Sequence, residues 1–200
     1  HGQHIYVVGI KGQGTAALAL VLQAHGAHVE GSDVTDHFST DTALQSHAIP
    51  VHTFADAIPE NVTSVIYSTA YSTHSHPQLI AARQRRLPIR SYPEALGTLF
   101  DGTESIPIAG SHGKTTSTAL VGSILIAAQK DPTVIVGSPV KEFGGNARIG
   151  HSALLVIETD EYQNKFQFYH PRHVLLTNVD YDHPDFFTDA AMYVKTFADF

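Results

Sequence analysis

Residues 106 to 116, Ile-Pro-Ile-Ala-Gly-Ser-His-Gly-Lys-Thr-Thr, set an ammonium group and two hydroxyls directly behind a glycine turn. An apolar strand-like run precedes the turn and an apolar helix-like run follows it. Such a connection aims unpaired backbone N–H groups and the positive end of a helix dipole at one point, which suits a phosphate. Gly110 and Gly113 let the backbone come close, Lys114 can reach the outer phosphates of a nucleotide, and the Thr115 hydroxyl can ligate the accompanying Mg2+. The full pattern G-x-x-x-x-G-K-[ST] would put glycine at position 108, where this chain has Ile108, so only its second half is present. A chance Gly-Lys-Thr at a helix start is the competing reading. The strand before, the helix after and the second threonine, Thr116, weigh against it.

Two later apolar runs end in acids. One delivers Glu158, Asp160 and Glu161; the other delivers Asn178, Asp180, Asp182, His183 and Asp185. Ligands of open parallel sheets sit beyond the carboxyl ends of the strands, so these groups can converge on a metal held by Thr115. Carboxylates with an imidazole suit Mg2+. Exposed loop acids are the alternative for each taken singly. A second glycine turn, Gly9, Gly12 and Gly14, follows the first apolar run, but Lys11 occupies the second glycine position of the dinucleotide spacing G-x-G-x-x-G. Asp33, 19 residues after Gly14, stands where a ribose-binding acid is expected. A βα connection with no ligand also fits this turn. A nicotinamide-dependent dehydrogenase fits it too, yet leaves Gly113-Lys114-Thr115 unexplained.

The elements that must position these groups alternate short β-branched runs with amphipathic stretches, the pattern of a parallel sheet covered by helices. Strands are expected at 4–10, 28–33, 64–69 and 87–92, with helices between them. The helix over 14–26 places Leu18, Val21, Leu22 and His25 on one face and is closed by Gly26. Residues 96–105 carry an Asp-Gly turn and little periodicity, which makes them the candidate domain boundary. A second series follows: strand 105–109, helix 114–128, strands 133–136, 153–158 and 173–178, and a helix from near Ala190. It is still running at Phe200, so the second domain reads as unfinished. The fold class expected is α/β: a Rossmann-like parallel-sheet domain followed by part of a P-loop-type α/β ATPase domain.

Composition bounds the function. Two hundred residues, 42% apolar, suffice for real cores. No apolar run approaches the ~20 residues that span a bilayer, so no membrane is expected and the cytoplasm is. The absence of cysteine excludes disulfides and thiolate metal sites. A net charge of -7, with no basic block beyond Arg83-Gln84-Arg85-Arg86, argues against nucleic acid. The 14 histidines are scattered and read mostly as solvated surface, with His1 and His4 as an expression-tag remnant.

On these residues the chain resembles the Mur ligases. "AGSHGKTTSTALV" is similar to their ATP-binding signature G-T-H-G-K-T-T, in which the departure at the first glycine is normal. "IETDEYQNKF" is similar to their E-A-D-E segment, and "LLTNVDYDHPDFF" to their T-N-x-x-x-D-H-x-D segment. "VVGIKGQGTAALALVLQAHGAHVEGSD" resembles the UDP-binding start of the alanine-adding branch, with Lys11 replacing a glycine; "IYSTAYSTHSHPQL" and "LPIRSYPEAL" continue the likeness over essentially the whole chain. His112 before Gly113 points to that branch. Tyr162 is similar to the branch that recycles murein tripeptide, so the amine substrate stays open.

The resemblance implies an ATP-dependent, amide-forming ligase of peptidoglycan synthesis. The carboxylate of UDP-N-acetylmuramate attacks the γ-phosphate of ATP, and the amine of L-alanine then attacks the acyl phosphate. By this likeness residues 1–102 form the UDP-sugar-binding domain and 103–200 the first part of the central ATP-binding domain. A C-terminal domain is expected only in the remainder of a longer ligase, without which the chain is expected to be inactive. Lys114, Glu158 and His183 are implied as the catalytic groups. Gly110, Ser111, His112, Gly113, Lys114, Thr115 and Thr116 would bind ATP; Thr115, Glu158 and His183 would bind Mg2+. Gly12, Gln13, Gly14 and Thr15 would face the UDP diphosphate, Asp33 the uridine end, and Ser68, Thr69 and Ala70 the opposite rim. A non-catalytic nucleotide-binding module remains the alternative from another class.

Overall fold

The structure, a computed structural model, describes residues 2–200 and divides into two compact units, the first ending at Ala95 and the second running from Leu96 to Phe200. The first contains β1 (His4–Val8), α1 (Gln13–Ala24), β2 (His28–Asp33), α2 (Asp41–Ser46), β3 (Val51–Thr53), β4 (Ser64–Tyr67), α3 (Pro77–Gln84) and β5 (Ile89–Ser91), and α4 (Tyr92–Phe100) starts in it. Its strands lie in the order β3-β2-β1-β4-β5, all parallel. Every residue of β1 is buried, as a central strand covered on both faces requires. Tyr6, Val8, Val65, Leu79 and Ala82 form one side of this core.

α1 buries seven consecutive residues, Thr15 to Val21, more than the single face expected; Leu22 is half-buried and His25 exposed. Gly26 does end the helix, with φ +88°. Its N–H donates to Gln23 O and the next N–H, of Ala27, to Leu22 O, the paired closure that a left-handed residue permits.

The second unit holds the rest of α4, then β6 (Glu104–Ala109), α5 (Lys114–Ala127), β7 (Thr133–Val140), β8 (Gly145–Arg148), β9 (Leu154–Glu158), β10 (Leu175–Leu176) and α6 (Ala190–Asp199). Its sheet runs β10-β6-β9-β7-β8, parallel except for β8, which is antiparallel to β7. Ile108, Val134, Val136 and Val156 are its buried centre, packed by Val121 and Leu125 of α5. Both units are thus α/β, as the alternating pattern implied.

Several elements differ from the sequence reading. Residues 96–100 are helical, because Ser91 and Glu94 cap α4 reciprocally: Glu94 Oε2 accepts from Ser91 N–H (2.6 Å) and Glu94 N–H donates to Ser91 Oγ (3.4 Å). The strand expected at 173–178 is a two-residue edge pair, while β3 and β8 went unread. His4, read as a solvated remnant, is the buried first residue of β1; His1 lies outside the described residues. Among the described residues no helix is long and apolar enough to cross a membrane.

A Cβ added at Gly31 of β2 would land on Val7 O and lie 2.8 Å from Ile10 Cδ1, with backbone on one side and core on the other. Gly31→Ala is therefore expected to destabilise the first unit by about 1–3 kcal/mol, read as a lower urea midpoint. An unchanged midpoint would show that this contact relaxes freely.

Candidate functional site

The second unit's glycine turn joins β6 to α5. Gly110 has φ +134°, and a Cβ on it would collide with Thr177 Oγ1 and the Asn178 backbone. Gly113, with φ +78°, has open space where a side chain would stand, so its conformation rather than crowding requires glycine. The strand-end residues hold this turn in place. Ser111 N–H donates to Asn178 O (3.2 Å) and His112 N–H to Asn178 Oδ1 (3.0 Å), while Asn178 Nδ2 and Thr177 Oγ1 return bonds to His112 O (2.9 and 2.7 Å). The first N–H groups of α5 have no intrahelical acceptor, and they carry the positive end of its dipole.

Lys114 Nζ lies over the turn, donating to Gly110 O (2.5 Å) and Ser111 O (3.2 Å). Thr115 Oγ1 donates to Glu158 Oε1 (2.9 Å), and Glu158 Oε2 accepts Gly137 N–H (2.6 Å). A Cβ at Gly137 would sit 2.8 Å from both carboxylate oxygens, so the glycine in β7 leaves the room this acid occupies beside the helix start.

Glu161 is fully buried, with its Oε2 making no hydrogen bond. Lys114 Nζ lies 3.7 Å from Oε2 and His183 Nε2 3.9 Å from Oε1. Tyr193 OH donates to Oε1 (2.8 Å) and stands 2.7 Å from Ser111 Oγ, which accepts Asp180 N–H (2.8 Å). Burial pushes the Tyr193 phenol well above its ordinary pKa, and the Glu161 carboxylate adds to the rise, so the hydroxyl stays a donor.

Lys114, Thr115 and Glu158 thus come together, and His183 joins them through Glu161. His112 and Thr116 are exposed at the mouth. Glu161 had stood out only as one of several strand-end acids, and Tyr193 had no sequence signal beyond the Asp189 cap, whose Oδ1 accepts Met192 N–H (2.8 Å) and starts α6. A hydroxyl and a carboxylate form a hard oxygen pair that fits Mg2+, and the glycine turn with its helix N-terminus fits a phosphate.

In the first unit the strand order reverses between β1 and β4, which opens a crevice at their carboxyl ends. Gly9, at φ +81°, passes so close to the β4 exit that a Cβ would meet the Tyr71 ring at 2.6 Å and Ser68 Cβ at 2.8 Å. Gly12, Gln13 and Gly14 follow the β1 exit and Ser68, Thr69 and Ala70 the β4 exit, the last two exposed. Two of the expected ligands are occupied internally. Thr15 Oγ1 donates to Gly9 O (2.6 Å), and Asp33 accepts from Lys11 N–H (2.7 Å) and Val34 N–H (2.8 Å). Lys11, which replaces a glycine, sends its ammonium to Asp36 O (2.8 Å) and toward Asp41 (3.5 Å), while Gln13 Nε2 bonds Ser39 Oγ (2.7 Å). Lys11, Asp33, Val34, Ile49 and His52 line a cavity of about 360 Å3.

Removing the Tyr193 hydroxyl takes a hydrogen bond from the buried Glu161 carboxylate and leaves it the Lys114 ammonium at 3.7 Å, so Tyr193→Phe is expected to cost about 1–3 kcal/mol of stability. Urea unfolding checks this, and a loss of only a few tenths would mean that the Ser111–Tyr193–Glu161 chain carries no stability.

Residues 4–103 match the model of the Mur ligase family, catalytic domain, and residues 108–200 that of the Mur ligase middle domain. UDP-N-acetylmuramate--L-alanine ligase of Desulfitobacterium hafniense is 43% identical over 198 residues, 98% of this chain and 44% of the relative. The enzyme of the same name from Treponema pallidum is 38% identical over 192 residues, 94% of this chain and 40% of its own. This chain therefore spans less than half the length of these relatives. Among solved structures, UDP-N-acetylmuramate-alanine ligase from Thermotoga maritima superposes with a TM-score of 0.85 at 28% identity, covering 98% of this chain and 46% of that one. UDP-N-acetylmuramate:L-alanyl-gamma-D-glutamyl-meso-diaminopimelate ligase from Neisseria meningitides gives 0.88 at 26% identity, covering 98% and 67%. With both units matched in order and nearly every residue covered, the chain belongs to the Mur ligase family.

Proposed function

We propose that these residues supply the UDP-sugar-binding and ATP-binding parts of a cytoplasmic ligase that joins L-alanine to the carboxylate of UDP-N-acetylmuramate at the expense of ATP. The single observation that carries this reading is the Thr115–Glu158 contact, 2.9 Å, at the first turn of the helix that Lys114 opens. In the reaction a carboxylate oxygen of the sugar bonds to the γ-phosphorus as ADP leaves. The amine nitrogen then bonds to the acyl carbon as inorganic phosphate leaves, and the amine gives up a proton.

Phosphoryl transfer of this kind needs positioning and charge neutralisation more than covalent help from the protein. The backbone of Gly110 to Gly113 cradles the phosphates, and Lys114 exchanges its carbonyl partners for β- and γ-phosphate oxygens. Thr115 and Glu158 hold Mg2+, with His183 for a second ion; the metal supplies Lewis-acid charge neutralisation when bound. Residues 103–200 make up the ATP-binding part. Residues 1–102 hold the UDP sugar at the crevice between the β1 and β4 exits, with Gly12, Gln13 and Gly14 against the diphosphate and Ser68, Thr69 and Ala70 opposite. Thr15 and Asp33 act there by fixing the turn, since their side chains already serve it.

The likeness of Tyr162 to the branch that recycles murein tripeptide gives a second acceptor, and the Neisseria structure bears that substrate in its name. In a full-length ligase carrying these residues, Lys114→Ala is expected to lower turnover by on the order of 100-fold or more, and Thr115→Val to raise the Mg2+ concentration needed for half-maximal rate. Steady-state assays with UDP-N-acetylmuramate, ATP and either L-alanine or the tripeptide read both effects and choose the acceptor. Full turnover in Lys114→Ala would end the proposal.

A further inference from the structure

At the amino ends of the first unit's strands, opposite the crevice, lies a cluster that the ligase reading leaves unused. His4 and His28 begin β1 and β2 and pair in register, with ring centroids 4.2 Å apart and planes at 84°. Glu30, two residues into β2, is buried, yet carries a carboxylate. Its Oε1 lies 2.6 Å from His4 Nε2, and its Oε2 lies 2.5 Å from Nε2 of His52 on β3.

One ligand atom each from His4, His28 and Glu30 lie within 4.8 Å of one another. A tetrahedral Zn2+ with ligand bonds of about 2.0–2.2 Å needs its donors roughly 3.4 Å apart. His4 Nε2 and Glu30 Oε1 stand 2.6 Å apart and all three ligand atoms lie within 4.8 Å of one another, so side-chain rotation that opens the His4–Glu30 contact is what an ion needs to enter. His52 would then act through the other carboxylate oxygen, orienting Glu30 as an outer partner orients a metal ligand.

We propose that His4, His28 and Glu30 form a binding site for a borderline divalent transition metal of the Zn2+ class, distinct from the Mg2+ of phosphoryl transfer. Two imidazole nitrogens and one carboxylate oxygen select such an ion over Mg2+, which prefers an all-oxygen shell. The ion takes the place of the His4 Nε2 proton now pointing at Glu30; that proton leaves to solvent or moves to Nδ1. The clamp ties the starts of β1 and β2, while Gly9 and Asp33 sit at their other ends, roughly 15 Å away along the strand. It stabilises the unit without touching nucleotide chemistry. The inference stands whether or not the ligase reading holds.

The test is a Zn2+ titration of chelator-stripped protein in excess Mg2+, by calorimetry, with Co2+ absorption as a spectroscopic probe of the nitrogen–oxygen shell. One Zn2+ per chain, a raised unfolding temperature, and affinity reduced about tenfold or more in His28→Ala and in Glu30→Gln are expected. His151→Ala, at an exposed histidine paired with Asp131, should leave binding unchanged. His28 is exposed, so its variant decides the matter even if Glu30→Gln fails to fold. Unchanged affinity in His28→Ala, or weak binding spread over several sites, would overturn the proposal.

Discussion

The second unit depends on the register between β6 and β9. Parallel pairing sets Ile108 opposite Glu158, so the acid leaves the sheet at the level where β6 turns into the glycine loop. Neighbouring strands lie about 4.8 Å apart, and one helical turn beyond that loop is all the distance Thr115 has to cover. On the far side β7 presents Gly137, whose N–H fixes the second carboxylate oxygen. The strand order β6-β9-β7 thus creates a three-point seat for one acid: a hydroxyl, an amide and a gap where a side chain would otherwise be. A slip of one residue in β9 would turn Glu158 to the other face and dissolve the site.

Both glycine turns are held by polar side chains, from the ends of adjacent strands and, in the first unit, from the first turn of the following helix as well. In the second unit Thr177 and Asn178, just after β10, do this work; in the first unit Asp33, ending β2, and Thr15, opening α1, do the same. A turn that must approach a ligand closely spends its glycines on conformational freedom, and something else has to restore rigidity. Polar residues near such turns therefore divide into those that face a ligand and those that fix the loop. Only the folded partners tell the two apart, Gly9 O for Thr15 and Lys11 N–H for Asp33, and for that reason both read as ligands in one dimension and as supports in three.

The same distinction governs how much could be read in advance. β1, β6, β9 and α5 were legible because each carries an apolar run or a helical repeat beside a glycine or an acidic strand end. α4 was missed although Ser91 and Glu94 spell its cap, because the apolar repeat behind them is short. β3, β8 and the two-residue β10 exist through pairing with an already formed sheet, a stabilisation that no local propensity records. The Lys114–Thr115–Glu158 grouping followed from strand ends converging, whereas the burial of Glu161 and its bond to Tyr193 join residues 32 apart in sequence and left no local mark.

Partnership also narrows the choice among the acids that follow β9 and β10. Asp160 accepts Lys165 Nζ on both oxygens, at 2.9 and 2.8 Å, and Asp185 accepts the Tyr162 hydroxyl at 2.7 Å. Asp182 Oδ1 accepts the N–H of His183, whose positive φ of +56° needs a local hold. Glu161 is sealed inside and balanced by the Lys114 ammonium and the Tyr193 hydroxyl. A buried carboxylate left with one cation 3.7 Å away fixes where that cation can rest, because separating the pair would strand a charge in the interior. Lys114 is thereby kept over the glycine turn, and Glu158 remains the acid whose oxygen meets the first-turn hydroxyl. Under the proposed function, the division of labour is between an acid that positions the lysine and an acid that meets the metal, and burial decides which is which.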